Sequence, residues 1–232
     1  MVNNKKILAI ILARSGSSRL KNKVLLKINQ STILDIFIKR LTNCKNIDKI
    51  ILATSKNQND KKIIKIAKKN KINFYVGDEQ DVLGRVCNAI SDQNTDFDYI
   101  VRANSDCPLI MPHILDQDIK NFINSNFDIF SPFYKNMMPL GFSSVIFKRN
   151  ILLKINHLAK KSKYREHIEN FCFDNKRKFK ILTSKKIKKL YFPKLSFLLD
   201  TKKDFYKMKI LFKSIKGISF KKQPHKLIEK FL

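Results

Sequence analysis

The 232-residue chain has no tryptophan, only five glycines, six prolines and four cysteines, and its 19 acidic residues face 48 basic ones for a net charge of +29. Each shortage excludes something. The four cysteines (Cys44, Cys87, Cys107 and Cys172) are scattered without a Cys-x-x-Cys pair. They argue against a zinc site, offer no disulfide framework and point to a reducing cytoplasm. Among the few glycines there is neither a G-x-x-x-x-G-K-[ST] string nor a G-x-G-x-x-G string, which excludes a Walker loop and the dinucleotide fingerprint. No apolar run approaches the roughly 18 residues of a membrane span. The run at 7–13 has a basic lead-in but no small-x-small cleavage site, so it reads as a buried strand and not as a signal peptide. No Gly/Ser-rich or Pro-rich linker and no internal repeat divides the chain.

Arginine is scarce as well, with 8 against 40 lysines. So basic a chain suggests a nucleic-acid or membrane-surface binder, but such proteins recruit Arg for its bidentate fork. Lys, Asn, Ile and Phe, the residues of A/T-rich codons, number 40, 21, 31 and 18 here. Codon bias is therefore the plainer account of the lysines, and no nucleic-acid motif accompanies them. The excess is uneven: residues 1–119 hold 20 basic and 12 acidic residues, residues 120–232 hold 28 and 7.

What is present is a regular alternation. Apolar runs at 7–13, 49–54, 73–77 and 98–103 read as strands. Helical spacing covers 33–44, 60–69, 82–90 and 112–124, the last opened by Pro112, where a first turn tolerates proline. Strands apolar on both flanks and joined by helices predict a mostly parallel α/β sheet covered on both faces. The second half is less regular, with strands expected at 128–134, 142–147, 179–183 and 195–199 and helices at 164–173 and 202–215. The expectation is one Rossmann-like domain over 1–232. Its regular half covers about 1–125, a less regular lobe about 126–195, and 196–232 return to the core.

Ligands of parallel sheets bind beyond the carboxyl ends of the strands. The loop after the first strand, Ala13-Arg-Ser-Gly-Ser-Ser-Arg-Leu-Lys-Asn-Lys23, holds Gly16, Ser17 and Ser18 as N–H and hydroxyl donors and Arg14, Arg19 and Lys23 as cations. That set suits a polyphosphate. Asp106, just past the fourth strand, is placed to hold Mg²⁺ against a triphosphate, because Mg²⁺ needs only one or two carboxylates besides phosphate and water. Asp200 ends the run 195–199 and reads either as a residue of the same crevice or as the N-cap of the helix after it, a role that Thr201 and Asp204 also fit. Asp81 reads as the N-cap of the helix from 82. Arg102 lies inside an apolar strand and needs a partner, either an anionic ligand or a buried carboxylate.

These segments resemble, in order, the sugar-acid cytidylyltransferases (the CMP-acylneuraminate and CMP-Kdo synthetases), and most of all the subgroup named for spore coat polysaccharide synthesis protein F. The residues that carry the resemblance are Leu12-Ala-Arg-x-Gly-Ser-x-Arg-Leu-x-x-Lys23, Asp81-Val-Leu-Gly-Arg85, Val101-Arg-Ala-Asn-Ser-Asp-Cys-Pro-Leu-Ile110, Arg165-Glu-His-Ile168 and Leu199-Asp-Thr-Lys-Lys-Asp204. The resemblance implies CMP transfer from CTP to an acidic sugar of the nonulosonic or 3-deoxy-ulosonic type, with release of pyrophosphate, for polysaccharide or glycan synthesis. It implies Asp106 and Asp200 as ligands of Mg²⁺. It implies Ala13, Arg14, Gly16, Ser17, Arg19, Lys23, Arg85, Asn104 and Ser105 around the nucleotide, with Arg14 and Lys23 catalytic, and Arg102, Arg165 and His167 around the acceptor. Relatives are commonly homodimers, and the apolar stretches 127–134 and 137–142 are the expected interface.

The chain departs from the family in three segments: Lys21-Asn22 stands where the loop usually reads Pro-Gly, Ser105 replaces a glycine, and Ser143 and Val145 stand where relatives have acids. Two other classes are weighed. A sugar-nucleotide glycosyltransferase would show Asp-x-Asp after the fourth strand, and Asp106-Cys-Pro108 lacks the second Asp. A basic scaffold for nucleic acid or a membrane surface would bind with steep salt dependence.

Overall fold

The computed structural model describes residues 4–135, 137–185, 188–214 and 228. Its elements are strand β1 (Ile7–Leu12), a small hairpin of β2 (Lys27–Ile28) and β3 (Ser31–Thr32), helix α1 (Ile33–Leu41), β4 (Lys49–Ser55), α2 (Lys61–Lys69), β5 (Asn73–Gly77), α3 (Val82–Ser91), β6 (Tyr99–Asn104), α4 (Pro112–Ile123), β7 (Ile129–Phe130), β8 (Val145–Lys148), α5 (Arg149–Leu158), α6 (Ser162–Glu166), α7 (Ile168–Asp174), β9 (Ile181–Leu182) and α8 (Lys202–Ser214). Seven strands form one sheet in the order β5-β4-β1-β6-β8-β7-β9. The four strands from β5 to β6 run parallel, β8 is antiparallel to both its neighbours, and β7 pairs parallel with β9. The mostly parallel sheet with helices on both faces is the predicted class.

β1 is central because both of its faces are apolar. Side chains alternate across a strand, so Ile7, Ala9 and Ile11 pack with Phe37 and Leu41 of α1, Ile63 of α2 and Phe122 of α4. Leu8 and Ile10 pack on the other face with Leu83 and Val86 of α3, Leu152 and Ile155 of α5 and Cys172 of α7. A third cluster, built around Phe142 and Phe197 stacked at 4.9 Å, joins the second half to the underside of the loop after β1 through Leu20 and Ile33. All four cysteines are buried and unpaired. No helix among the described residues is long and apolar enough to cross a membrane.

The second half departs from the sequence expectations in identifiable ways. The run 195–199 is extended but forms no strand: a single bridge joins Ser196 to Leu140, and Gly141, at φ +97°, turns the chain away before a ladder can continue. The strand expected at 128–134 is only Ile129–Phe130, since Pro132 follows and the chain enters a turn. The run 142–147 starts pairing only at Val145 and passes directly into α5, a helix not expected from the sequence. The helix expected at 164–173 is two helices broken at His167, whose backbone (φ −111°, ψ 82°) is not helical. The helix expected to 215 is described to Ser214, and its last residue lies outside the described residues. The stretches expected to supply a dimer interface place Phe130, Met138 and Phe142 in the chain's own core.

Candidate active site

β1 and β6 end side by side, and the segments leaving them, with Val82 and Arg85 of α3, border a crevice of about 590 Å³. The loop from Ala13 to Lys23 forms one wall, the end of β6 from Asn104 to Asp106 the floor, and α6–α7 with Phe133 and Leu198 the far side. Every candidate site residue drawn from the sequence lines this crevice except Arg165.

The floor is an ion cluster. Lys23 Nζ donates to Asp106 Oδ2 at 2.6 Å and to Asp200 Oδ1 at 2.9 Å, and Arg19 Nη2 lies 3.0 Å from the other oxygen of Asp200. Burial alone would lower the Lys23 pKa, but the two carboxylates outweigh it and hold the ammonium above its usual range. Asp200 is not the helix cap. Thr201 and Asp204 cap α8 reciprocally, with Asp204 N donating to Thr201 Oγ1 at 3.2 Å and Thr201 N to Asp204 Oδ2 at 2.8 Å, which leaves the Asp200 carboxylate turned to the crevice. Leu199 N donates to Asp106 O at 2.9 Å and fixes the two acidic segments against each other.

Two carboxylates converging on one cation position make an all-oxygen donor pair that fits Mg²⁺, whose remaining positions are commonly filled by phosphate and water. No cluster of three or more His, Cys, Asp or Glu suited to a metal occurs among the described residues, so the ligand would have to complete the shell.

The loop wall is held from beneath. Ser15 N donates to Asp60 Oδ1 at 2.8 Å, and the Ser15 carbonyl accepts from Ser17 N at 2.8 Å and Asn22 N at 3.1 Å. A Cβ on Gly16 would meet the tip of the Glu79 side chain, which would have to swing aside to admit it. Arg14 spans the mouth from Glu79 O at 3.3 Å to Glu166 Oε1 at 3.0 Å. Arg85 is buried within α3, with Nη1 donating to Asp78 O at 2.5 Å and its Nε unpartnered. Burial and the neighbouring Arg14 lower its pKa. Ser105 is also buried, its hydroxyl donating to Leu12 O at 2.7 Å. Asn104, half-buried, ends β6 beside it.

The far side answers the open question about Arg102: it donates to Glu169 Oε2 at 2.7 Å in a largely buried pair, and its Nε has no partner. His167, at the break between α6 and α7, lines the crevice, and so do Glu166, Glu169, Asn170 and Phe173, which the sequence did not single out. Their only signal there is adjacency to Arg165-Glu-His-Ile168.

Arg165 does not belong to the crevice. Its guanidinium embraces the carboxylate of Asp81, with Nε at 2.8 Å, and donates to Asn156 Oδ1 at 2.9 Å, so it borders a separate shallow groove and ties α6 to α3. Asp81 also accepts from Gly84 N at 2.8 Å as the expected N-cap of α3. Of the family departures, Ser105 lines the crevice and Ser143 and Val145 do not. Ser143 is buried against Asp118, and Val145 packs in the core.

A family model described as cytidylyltransferase matches residues 8–228. An uncharacterised protein of Methanocaldococcus jannaschii is 37% identical over 200 residues, which cover 86% of this chain and 80% of that one. The spore coat polysaccharide biosynthesis protein SpsF of Bacillus subtilis is 28% identical over 212 residues, covering 89% and 86%. Among solved structures, a cytidylyltransferase from Leptospira borgpetersenii superposes with a TM-score of 0.88 at 28% identity, covering 97% of this chain and 93% of that one.

Proposed function

The chain belongs to the cytidylyltransferase family, and from that premise we propose that it transfers CMP from CTP to a hydroxyl of a small acidic sugar of the nonulosonic or 3-deoxy-ulosonic type, for polysaccharide or glycan synthesis. The observation that carries this reading is the convergence of Asp106 and Asp200 on one cation position beside a loop rich in phosphate donors. The acceptor oxygen forms a bond to the α-phosphorus, the bond from that phosphorus to the bridging oxygen breaks, and pyrophosphate leaves with the electron pair. The hydroxyl proton passes to solvent.

The protein's work is positioning and charge stabilisation. Arg14, Arg19 and Lys23, with Gly16 and Ser17, hold the β- and γ-phosphates. Ala13, Arg85, Asn104 and Ser105 border the nucleoside side. Asp106 and Asp200 would hold Mg²⁺, which supplies charge neutralisation at the phosphates and acidifies the attacking hydroxyl. With Mg²⁺ on those carboxylates, Lys23 would be free to turn to phosphate. Arg102 and His167 face the acceptor; Arg165 acts through Asp81 on the fold of α6. We place the enzyme in the cytoplasm as a homodimer.

The Arg102–Glu169 pair favours a second reading of the acceptor alone. A guanidinium already neutralised within the chain suits a neutral hydroxylated sugar as well as an acid. The test incubates the protein with each NTP, Mg²⁺ and matched panels of 2-keto-3-deoxy sugar acids and neutral sugars, and measures pyrophosphate. Release with CTP and an acid is expected. Release with neutral sugars alone moves the acceptor class. No release with any pair, together with no CTP binding by calorimetry, overturns the enzyme assignment.

A further inference from the structure

We propose that Asp60, a residue outside the crevice, is a positioning residue for the triphosphate: it sets the loop Ala13–Lys23 through a single backbone hydrogen bond to Ser15. The proposal rests on the reading of that loop as the CTP phosphate site.

Asp60 is fully buried, in the short turn that opens α2. Its two oxygens serve different parts of the fold. Oδ2 accepts from Thr54 Oγ1 at 3.0 Å, Ser55 N at 3.2 Å and Ser55 Oγ at 2.6 Å, which clamps it to the carboxyl end of β4. Oδ1 accepts from Ser15 N at 2.8 Å. Ser15 is the hub of the loop, since its carbonyl gathers the N–H groups of Ser17 and Asn22. A rigid relay thus runs from the sheet through Asp60 and Ser15 to the residues that face the crevice. Burial would raise the Asp60 pKa, but the bonds from Ser15, Ser55 and Thr54 outweigh it and keep the carboxyl below its usual range, so the group is an anion that only accepts.

Charge is what the relay requires. Both oxygens accept from a backbone N–H, Ser15 on one side and Ser55 on the other. An amide in either orientation sets its NH₂ against one of those donors, and an unsatisfied buried donor is costly. Asp60→Asn therefore breaks the relay at one end, at Ser15 in one orientation and at the Ser55 clamp in the other, while removing no atom that touches the ligand.

The test compares Mg²⁺-CTP with CMP by calorimetry on the full-length chain. CMP lacks the β- and γ-phosphates, so a fault confined to the loop penalises CTP, whereas a general loosening of the fold penalises both. Asp60→Asn is expected to weaken CTP at least tenfold and CMP no more than twofold. Ser55→Ala, which removes one anchor of Asp60 and leaves Ser15 alone, is expected to weaken CTP twofold to fivefold with CMP unchanged, and it decides the matter should Asp60→Asn fail to fold. Equal losses for the two ligands, or unchanged CTP affinity, overturn the proposal. A wild-type protein that binds no CTP fails before any variant is compared, and that result overturns the reading of the loop itself.

Discussion

The Ser143 hydroxyl donates to Asp118 Oδ2 at 2.7 Å beneath α4, with Ser184 Oγ 3.4 Å away on the same carboxylate. An acid at position 143, in place of the serine, would face Asp118 inside a buried pocket. Burial pushes Asp118 up to about 7, and the two hydroxyls only moderate it. The folded protein thus keeps a proton that the unfolded chain gives up near its ordinary carboxyl value. Stability from this group is complete below pH 4 and falls as pH rises towards 7, by about 1.4 kcal/mol for each unit between the two pKa values. Urea unfolding at pH 5 and pH 7.5 checks this: the wild type loses stability between them, and Asp118→Asn loses less.

Lys23 is the cation that holds Asp106 and Asp200 together at the crevice floor. Lys23→Met removes charge aimed at the phosphates and leaves two carboxylates repelling each other. The rate of pyrophosphate release should fall by about 10²–10³-fold, with the far-ultraviolet circular dichroism of the wild type retained.

The two carboxylates are expected to share one metal. Chelation with EDTA should stop pyrophosphate release, and added Mg²⁺ should restore it. Asp106→Asn and Asp200→Asn should each raise the Mg²⁺ concentration for half-maximal rate at least tenfold. An unchanged requirement in both variants removes them from the metal site.

Arg102 and Glu169 form a pair of which little is exposed, 5% and 12% of the side chains. Removing one partner strands a buried charge, so Glu169→Ala should cost about 3–5 kcal/mol in urea unfolding. The double change Arg102→Met, Glu169→Leu should cost less than the single one. The comparison separates the penalty of a lone charge from the worth of the pair.

The loop side of the crevice was legible because its residues lie in contiguous strings at strand ends, where the parallel sheet puts ligands whatever the sequence. Arg14, Lys23 and Asp106 needed only the identification of β1 and β6. Asp200 was ambiguous locally, since Thr201 and Asp204 fit the same cap. The reciprocal cap of Thr201 and Asp204 and the tertiary approach of Lys23, 177 positions away, resolve it. The far side was poorly legible for a related reason. Glu169, Asn170 and Phe173 reach the crevice because α6 and α7 break at His167, and no glycine or proline marks that break. Arg165 sits in the same string and was carried along by it, although Asp81 holds it elsewhere. Asp60 looked like an ordinary helix-start residue, and its partner Ser15 lies 45 positions back. The hairpin of β2 and β3 was missed because two-residue strands are too short to show a period.

The ion pairs of the crevice set what can enter it. Arg14 with Glu166, Arg19 with Asp200, Lys23 with Asp106 and Asp200, and Arg102 with Glu169 leave these cations internally compensated despite the chain's net charge of +29. Entry is therefore an ion exchange: an arriving anion must replace a partner that the protein already supplies. A small monovalent ion can replace one such partner and gains little. A polyanion that brings its own divalent cation can exchange several at once and hand the displaced carboxylates a new counter-charge. At Arg14, Arg19, Lys23 and Arg102 the crevice thus differs from a bare basic pocket, because each of these cations starts from a carboxylate partner.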